Sequence, residues 1–344
     1  MWLGVGIFAV LFGQLVKKNK KYFYCFMFFM WILFWSRACT QDRAMYLVYY
    51  NQIHSMSVQS NLEFGFQAFM LFSKFLHLPF EGFVALFSGV AFILMSKVIV
   101  KCSINPVLVS GLYFLYPYIL DADQIRSFFA VSIVLYGMQY LLWNFEHKIL
   151  KYILFCCLAS LFHITALFYI IYVFIVLDRK IAISIVGLFC CVFYLFRGLL
   201  INILYKVAFR DITSKINYYL LNSNNENGII VTGFFVVIFL LSILICAFQL
   251  KNNDIDRQFA MKIIKMNILS FIIFPLLLLD NTFIRLPRLV LIMDYIMVSN
   301  MIGAKITKRK QFVYYFGFLG IVLLRFFAYC LGAGWETYFI PLFF

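Results

Sequence analysis

The chain has 344 residues, 65% of them apolar and 12% charged, and its mean hydropathy is +0.95. Soluble domains are roughly half apolar and a quarter charged, and here the apolar residues come in long blocks, so the composition excludes an ordinary globule, a disordered segment and a secreted disulfide scaffold and indicates an integral membrane protein. The net charge of +15 is an excess that orients a membrane protein and attracts anionic lipid; no basic run is backed by a soluble segment suited to nucleic acid.

The N-terminal MWLGVGIFAVLFGQLV starts without a basic residue and is followed by KKNKK. It predicts a retained helix with its N-terminus outside, not a cleaved signal. A crossing needs roughly 20 apolar residues, with about 17 tolerated. Blocks of that kind lie near 2–16, 22–36, 80–96, 105–120, 126–143, 149–162, 163–177, 181–197, 229–249, 265–280, 286–303 and 311–331. The expected fold is therefore all-α and polytopic, with about twelve spans in one membrane domain over 1–344. Residues 62–78 carry Glu63, Lys74 and His77 and read as an outer re-entrant or interfacial helix. An outer loop with that helix covers 37–79, and a second long outer loop covers 198–228. The block 149–177 has Lys148 and Lys151 at one end and Arg179 and Lys180 at the other. Both ends should be cytoplasmic, so the block goes out and back with His163 at its outer tip. The nine cysteines form no CxxC and no Cys/His set with metal spacing, and read as small hydrophobes. Neither a metal nor a cofactor is expected.

This topology sorts the basic residues. Lysine dominates the cytoplasmic loops, whereas Arg37, Arg43, Arg126, Arg197, Arg210, Arg285, Arg288 and Arg325 fall outside. Outer arginine works against the positive-inside bias. Its planar fork fits phosphate or carboxylate; the plainer reading is headgroup contact and snorkelling. In the first outer loop, Asp42 lies close to Arg37 and Arg43 and suits a paired base or an orienter. Tyr46 and Tyr50 stand at i,i+4, with Tyr49 between. A helix there would offer an aromatic face, either for a sugar or for the membrane interface. Asp121 and Asp123 suit the cap of the helix that follows. Gln124 and Arg126 are not explained that way. Arg126 in a helix's first turn opposes the dipole within a membrane, so it requires an anionic partner. Arg285 and Arg288, at i,i+3, should share one helix face and clamp a diphosphate, with Pro287 in that helix's first turn. Pairing with Asp280 is the plain alternative. Asp294 is an intramembrane acid, either functional or an arginine's partner.

Four segments occur in a telling order: Asp42 with Tyr46 and Tyr49, Glu63-Phe-Gly-Phe66, Gln124-Ile-Arg126 and Phe162-His-Ile-Thr-Ala-Leu167. Their order and spacing resemble the EpsG family, which looks like the Wzy-type polymerases of surface polysaccharide such as O-antigen or capsule. The resemblance covers most of 37–300. It implies a metal-independent glycosyltransferase similar in fold to the GT-C enzymes, lying in the bacterial inner membrane with its site facing outward. It would move a glycan from undecaprenyl diphosphate onto a lipid-linked repeat unit, with a chain-length regulator, a flippase and membrane lipid as partners. Arg126, Arg285, Arg288 and Arg43 are then the diphosphate ligands. Glu63, His163 and Asp42 are the candidate bases, and Gln124, Tyr46 and Tyr49 the other substrate contacts. A lipid-linked oligosaccharide flippase is the competing class, but no internal repeat is visible and most of the arginines lie on one side. A membrane O-acyltransferase would need a cytoplasmic route for its acyl donor, which the lysine-rich inner loops do not suggest.

The charge sorting makes a topological prediction. Cysteine at Asn51, Asn224 or Asn281 should react with a membrane-impermeant thiol reagent in cells stripped of their outer barrier, and cysteine at Asn19 or Asn253 should not. Labelling at 19 with protection at 224 would invert the topology.

Overall fold

A computed structural model describes residues 19–36, 41–56, 62–143, 145–207, 226–252, 257–279, 281–303 and 308–333. Every regular element among them is helical. The expected span at 2–16, together with Arg37, Arg210 and Asp280, lies outside the described residues. In chain order the α-helices are α1 (Lys20–Ser36), α2 (Gln41–Gln52), α3 (Phe64–Phe75), α4 (Phe80–Cys102), α5 (Pro106–Leu115), α6 (Tyr118–Asp123), α7 (Ile125–Leu142), α8 (Lys148–Ser160), α9 (Arg179–Val207), α10 (Glu226–Asn252), α11 (Arg257–Ser270), α12 (Ile273–Leu279), α13 (Arg288–Gly303) and α14 (Lys308–Ala333). Two 3-10 helices, Ile164–Val176 and Asn281–Arg285, complete the set. Five described segments are long and apolar enough to cross a membrane: Phe80–Cys102, Ile125–Leu142, Arg179–Phe196, Ile229–Ala247 and Arg257–Leu278.

Several expected spans are interrupted. The block at 105–120 is two short helices, because Tyr116 is extended ahead of Pro117 and the proline ring disfavours helical geometry in the residue before it. The block at 265–280 lies across α11 and α12, which break around residues 271–272; Pro275 occupies the first turn of the second helix, where a missing N–H is tolerated. Of the outer loop expected at 198–228, residues 198–207 continue α9 and 226–228 open α10. The segment 62–78 contains α3, whose 12 residues span about 18 Å, too short to cross a bilayer.

The chain forms two compact units, Met1–Val173 with Ile292–Phe344, and Phe174–Leu291. In the first, α7 is the central helix, buried along most of its length. It packs on α4 and α8 through aromatic rings. Phe129 stacks on Phe87 at 4.0 Å and meets Phe162 at 4.6 Å. Phe128 meets Phe34 at 5.0 Å and Phe92 at 5.3 Å. Each such pair adds about 0.5–1.5 kcal/mol beyond the area it buries. Gly137 lets α8 approach, since a Cβ there would lie 2.5 Å from Phe155 Cβ. At the other end of α4, a buried polar knot joins α13 to the α4–α5 turn. Asn300 accepts from the Ile104 amide at 2.7 Å and donates to the Cys102 carbonyl at 2.9 Å. Ser299 Oγ accepts from the Asn105 amide and donates to its carbonyl, both at 2.9 Å. Turn amides and carbonyls that would otherwise be buried without partners are thereby satisfied.

The stretch after His163 is a 13-residue 3-10 helix. His163, Ala166, Tyr169, Tyr172 and Ile175, every third residue, are buried, the stripe that three residues per turn produces. Thirteen residues cover about 26 Å in this form, against about 20 Å in an α-helix. The extra length brings a segment that is short as an α-helix close to the ~30 Å hydrocarbon thickness.

In the second unit, α10 and α9 pack on α11, with Phe274 between Phe239 at 5.8 Å and Phe271 at 4.9 Å. Lys265 donates to the Leu177 carbonyl at 2.6 Å. Helix α9 bends at Phe196, and between Arg179 and Phe196 almost none of it is buried. Leu188, Tyr194 and Leu195 are exposed, as a lipid-facing helix requires.

Two glycines of similar sequence setting should respond oppositely. Gly137→Ala forces apart α7 and α8 and should lower the melting temperature in detergent by several degrees, an overpacking penalty of about 1–3 kcal/mol. Gly187 has nothing within 4 Å of its would-be Cβ, so Gly187→Ala should leave stability unchanged or raise it by up to about 1 kcal/mol. Thermal unfolding of both variants checks the α7–α8 contact.

Candidate functional site

The site is built on a close backbone approach. Glu63 precedes α3 in an extended conformation (φ −64°, ψ 148°), and its side chain makes no cap hydrogen bond. Two residues on, the Gly65 amide donates to the Leu161 carbonyl at 2.7 Å. A Cβ on residue 65 would stand 2.8 Å from that oxygen, so only glycine allows the two strands of backbone to meet. The contact carries Glu63 to the junction of α8 and the 3-10 helix. There Glu63 Oε1 accepts from the Ile164 amide at 3.3 Å and lies 3.6 Å from His163 Nδ1. The packing of Phe162 against Phe87 and Phe129 holds the same junction from behind.

Arg126 reaches the site from the other side. Gln124 ends α6 and begins α7: its amide donates to the Leu120 carbonyl, and its own carbonyl accepts from Phe128, both at 3.0 Å. This break puts Arg126 in the first turn of α7. Arg126 Nη1 donates to Glu63 Oε2 at 2.6 Å, and Nε donates to Tyr46 Oη at 3.2 Å. The guanidinium lies 5.2 Å from the Tyr46 ring centre and 5.7 Å from that of Phe66. The anionic partner that Arg126 requires is thus Glu63. The pair remains partly exposed, with side-chain exposures of 15% and 19%. No hydrogen bond occupies Nη2 among the described residues.

His163 is nearly buried. Its Nδ1 lies 3.4 Å from the Thr165 amide and 3.3 Å from Thr165 Oγ1. The backbone amide can only donate, so Nδ1 is an acceptor and the neutral ring carries its proton on Nε2. The 3.6 Å approach to Glu63 is longer than either Thr165 contact and beyond hydrogen-bond length, so the Thr165 contacts set the tautomer.

The remaining candidates are placed differently. Asp42 stands in the first turn of α2, and no described contact joins it to Glu63, Arg126 or His163. Arg43 is buried and donates to the Phe34 carbonyl at 3.2 Å and to that of Trp35, which caps the end of α1. Tyr49 lines a cavity of about 300 Å³. Asp121 does not cap α7: it is buried within α6 and accepts from Tyr113 Oη at 2.9 Å. Arg285 and Arg288 do not share one helix. Arg285 closes the second 3-10 helix, Leu286 and Pro287 turn, and Arg288 opens α13. Both lie in the second unit, and the Glu63 cluster lies in the first. Asp294 is fully buried on α13, next to Tyr295, whose hydroxyl donates to the Tyr116 carbonyl at 2.7 Å. Sequence reasoning missed the Ile164 amide, Phe66 and Gly65 as working parts. The Glu-Phe-Gly-Phe run contained two of them, and its glycine was the usable signal.

No curated protein and no solved structure matches the chain. The EpsG family model matches residues 20–344. That match includes Tyr46, Glu63, Arg126 and His163, so the converging residues and nearly the whole chain fall inside one family pattern. The chain belongs to the EpsG family and is a membrane protein of polysaccharide biosynthesis.

Proposed function

We propose that this protein is a Wzy-type polysaccharide polymerase with about twelve spans, similar in architecture to the GT-C glycosyltransferases, acting at the outer face of the bacterial inner membrane. The observation that supports this reading is the meeting of Glu63, Arg126, Tyr46 and His163, from four separate stretches of the chain, at one partly exposed point.

The reaction breaks the bond between the donor glycan's anomeric carbon and the diphosphate oxygen. A hydroxyl of the acceptor repeat unit attacks that carbon and loses its proton. Glu63 takes the proton: its carboxylate is aimed by Arg126 and by the Ile164 amide, the orientation a general base needs. His163 is not the base in this scheme, because its unprotonated nitrogen, Nδ1, already accepts from the Thr165 amide. It positions the junction and offers an N–H donor. The electron pair leaves with undecaprenyl diphosphate. Arg126 Nη2 meets that developing charge, while Nε and Nη1 hold the guanidinium against Tyr46 and Glu63, so the cation is oriented before charge appears. Gln124 sets the start of α7, and Arg43 fixes the end of α1 next to the helix that carries Tyr46.

Purified protein given one defined lipid-linked repeat unit should produce a ladder of products. Glu63→Gln should insert normally and lower transfer by roughly 10²–10⁴-fold, the range for a lost general base. His163→Ala should have the smaller defect, and normal ladders from both variants would remove this chemistry.

Arg126→Lys tests the fork. Lysine keeps the charge but cannot hold Tyr46 and Glu63 while addressing a phosphate. Turnover should fall roughly tenfold to a hundredfold, the loss of a charge-assisted bond. Full activity would show that any cation suffices, as in headgroup anchoring.

Gly65→Ala changes no charge. It should reduce turnover by roughly a hundredfold, the effect of a displacement of about 1 Å at a reacting centre. Wild-type rates at matched protein levels would show that the Gly65–Leu161 approach does not set the site.

A further inference from the structure

Beside Glu63 lies a second feature that the transfer chemistry does not use. It is a cavity of about 300 Å³ lined by Tyr49, Gln52, His54, Ser55, Leu62 and Gln67, with Ile53 between. Leu62 is adjacent to Glu63 in the chain, and the Gln67 amide donates to the Glu63 carbonyl at 3.1 Å. The cavity therefore borders the segment that carries the proposed base. Its volume is at the lower end of small-molecule sites, the size of a short oligosaccharide segment and not of a long glycan.

Among the described residues the lining contains no Asp, Glu, Lys or Arg, in contrast to the Arg126–Glu63 site next to it. What it offers is one aromatic ring, two carboxamides, an imidazole and a hydroxyl. The groups are oriented. His54 Nδ1 lies 2.7 Å from the Gln52 carbonyl, which can only accept, so Nδ1 donates and the neutral ring presents Nε2 as an acceptor. Gln67 Nε2 donates to the Leu62 carbonyl at 2.7 Å, which turns its Oε1 away from that carbonyl.

The wall is also pinned. Lys74 on α3 donates to the Asn51 carbonyl at 3.1 Å and the Ile53 carbonyl at 2.7 Å, and its ammonium stands 5.5 Å from the Tyr50 ring centre. Tyr50 Oη donates to the Leu78 carbonyl at 2.7 Å. These contacts fix the end of α2 against α3, so the cavity is held before a ligand arrives, which reduces the ordering a ligand must impose.

We propose that this cavity is a saccharide subsite that holds an uncharged sugar segment of the lipid-linked glycan, with Tyr49 against a ring face and Gln52, His54 and Ser55 on hydroxyls. Its role as a glycan subsite rests on the transferase reading of the Glu63 site. The described lining is neutral, and the one ammonium near it, that of Lys74, is spent on the Asn51 and Ile53 carbonyls; sugar hydroxyls suit such neutral donors and acceptors, whereas a phosphate calls for a charged fork.

The probe is the free repeat-unit oligosaccharide, released by mild acid from the strain's own lipid-linked repeat unit. Binding to the purified full chain is read by saturation-transfer difference NMR. Wild-type protein should bind it. Tyr49→Ala and Gln52→Ala should each weaken binding by roughly threefold to tenfold, the span for a neutral contact, and raise KM more than they lower kcat. Tyr49→Phe, which keeps the ring, should stay within about threefold of wild type. Glu63→Gln should bind the oligosaccharide as wild type does while losing turnover. The subsite is overturned if wild-type protein does not bind the oligosaccharide, or if the Tyr49→Ala and Gln52→Ala variants bind it equally well. If the binding pattern holds but wild-type protein gives no product ladder, the polymerase reading fails and the saccharide subsite stands.

Discussion

A guanidinium in the first turn of a membrane helix faces a dipole end of its own sign and a solvent that does not welcome charge. Arg126 occupies that position, and the Glu63 carboxylate at 2.6 Å answers both difficulties. The two residues are 63 positions apart, so much of the first unit serves to bring them together. Helix α7 must break from α6 at Gln124, and α3 must begin immediately after Glu63. Tyr46 must also be buried on α2, where its hydroxyl receives Arg126 Nε. An ion pair of this kind is weak evidence for stability, because desolvation offsets much of the attraction. Its partial exposure fits a charge pair kept for chemistry at a boundary.

Two glycines and a set of phenylalanines supply the close packing behind that pair. Gly65 lets backbone touch backbone at Leu161, and Gly137 lets α8 lie against α7. Phe87, Phe129 and Phe162 then fill the space between α4, α7 and the junction that carries His163. Large rings in a few rotamers are suited to fixing such a junction, since close-packed interiors transmit small displacements. The 3-10 helix that follows keeps the register, with His163 at the head of its buried stripe. Fold and site therefore depend on the same contacts, and a single added methyl group at residue 65 addresses both.

Much of this was legible in the sequence, for reasons that differ by residue. Helical membrane character followed from composition, and Arg126's need for an anion followed from its place in a helix's first turn. That the anion is Glu63 was not legible, since no periodicity links positions so far apart; motif order only placed both residues among the site candidates. The break at Tyr116–Pro117 and the one before Pro275 each carried a proline signal that the apolar blocks around them concealed. The 3-10 helix was not legible, because a segment apolar on all sides shows no contrast between a period of three and a period of 3.6. Arg43 was misleading in pattern: its sequence setting among outer charges resembles a ligand, and only the fold brings the Phe34 and Trp35 carbonyls to it. Arg285 and Arg288 look like one helix face until the Leu286–Pro287 turn separates them.

The central claim is that Glu63 and Arg126 act as one unit in transfer. A double-mutant cycle on the rate of product formation, with Glu63→Gln, Arg126→Lys and both together, measures this directly. Groups that work as a unit lose most of their effect once either is gone. The account predicts that the double variant is no more than a few-fold slower than Glu63→Gln alone. Two defects that multiply in the double variant would show that the residues contribute independently, and would contradict it.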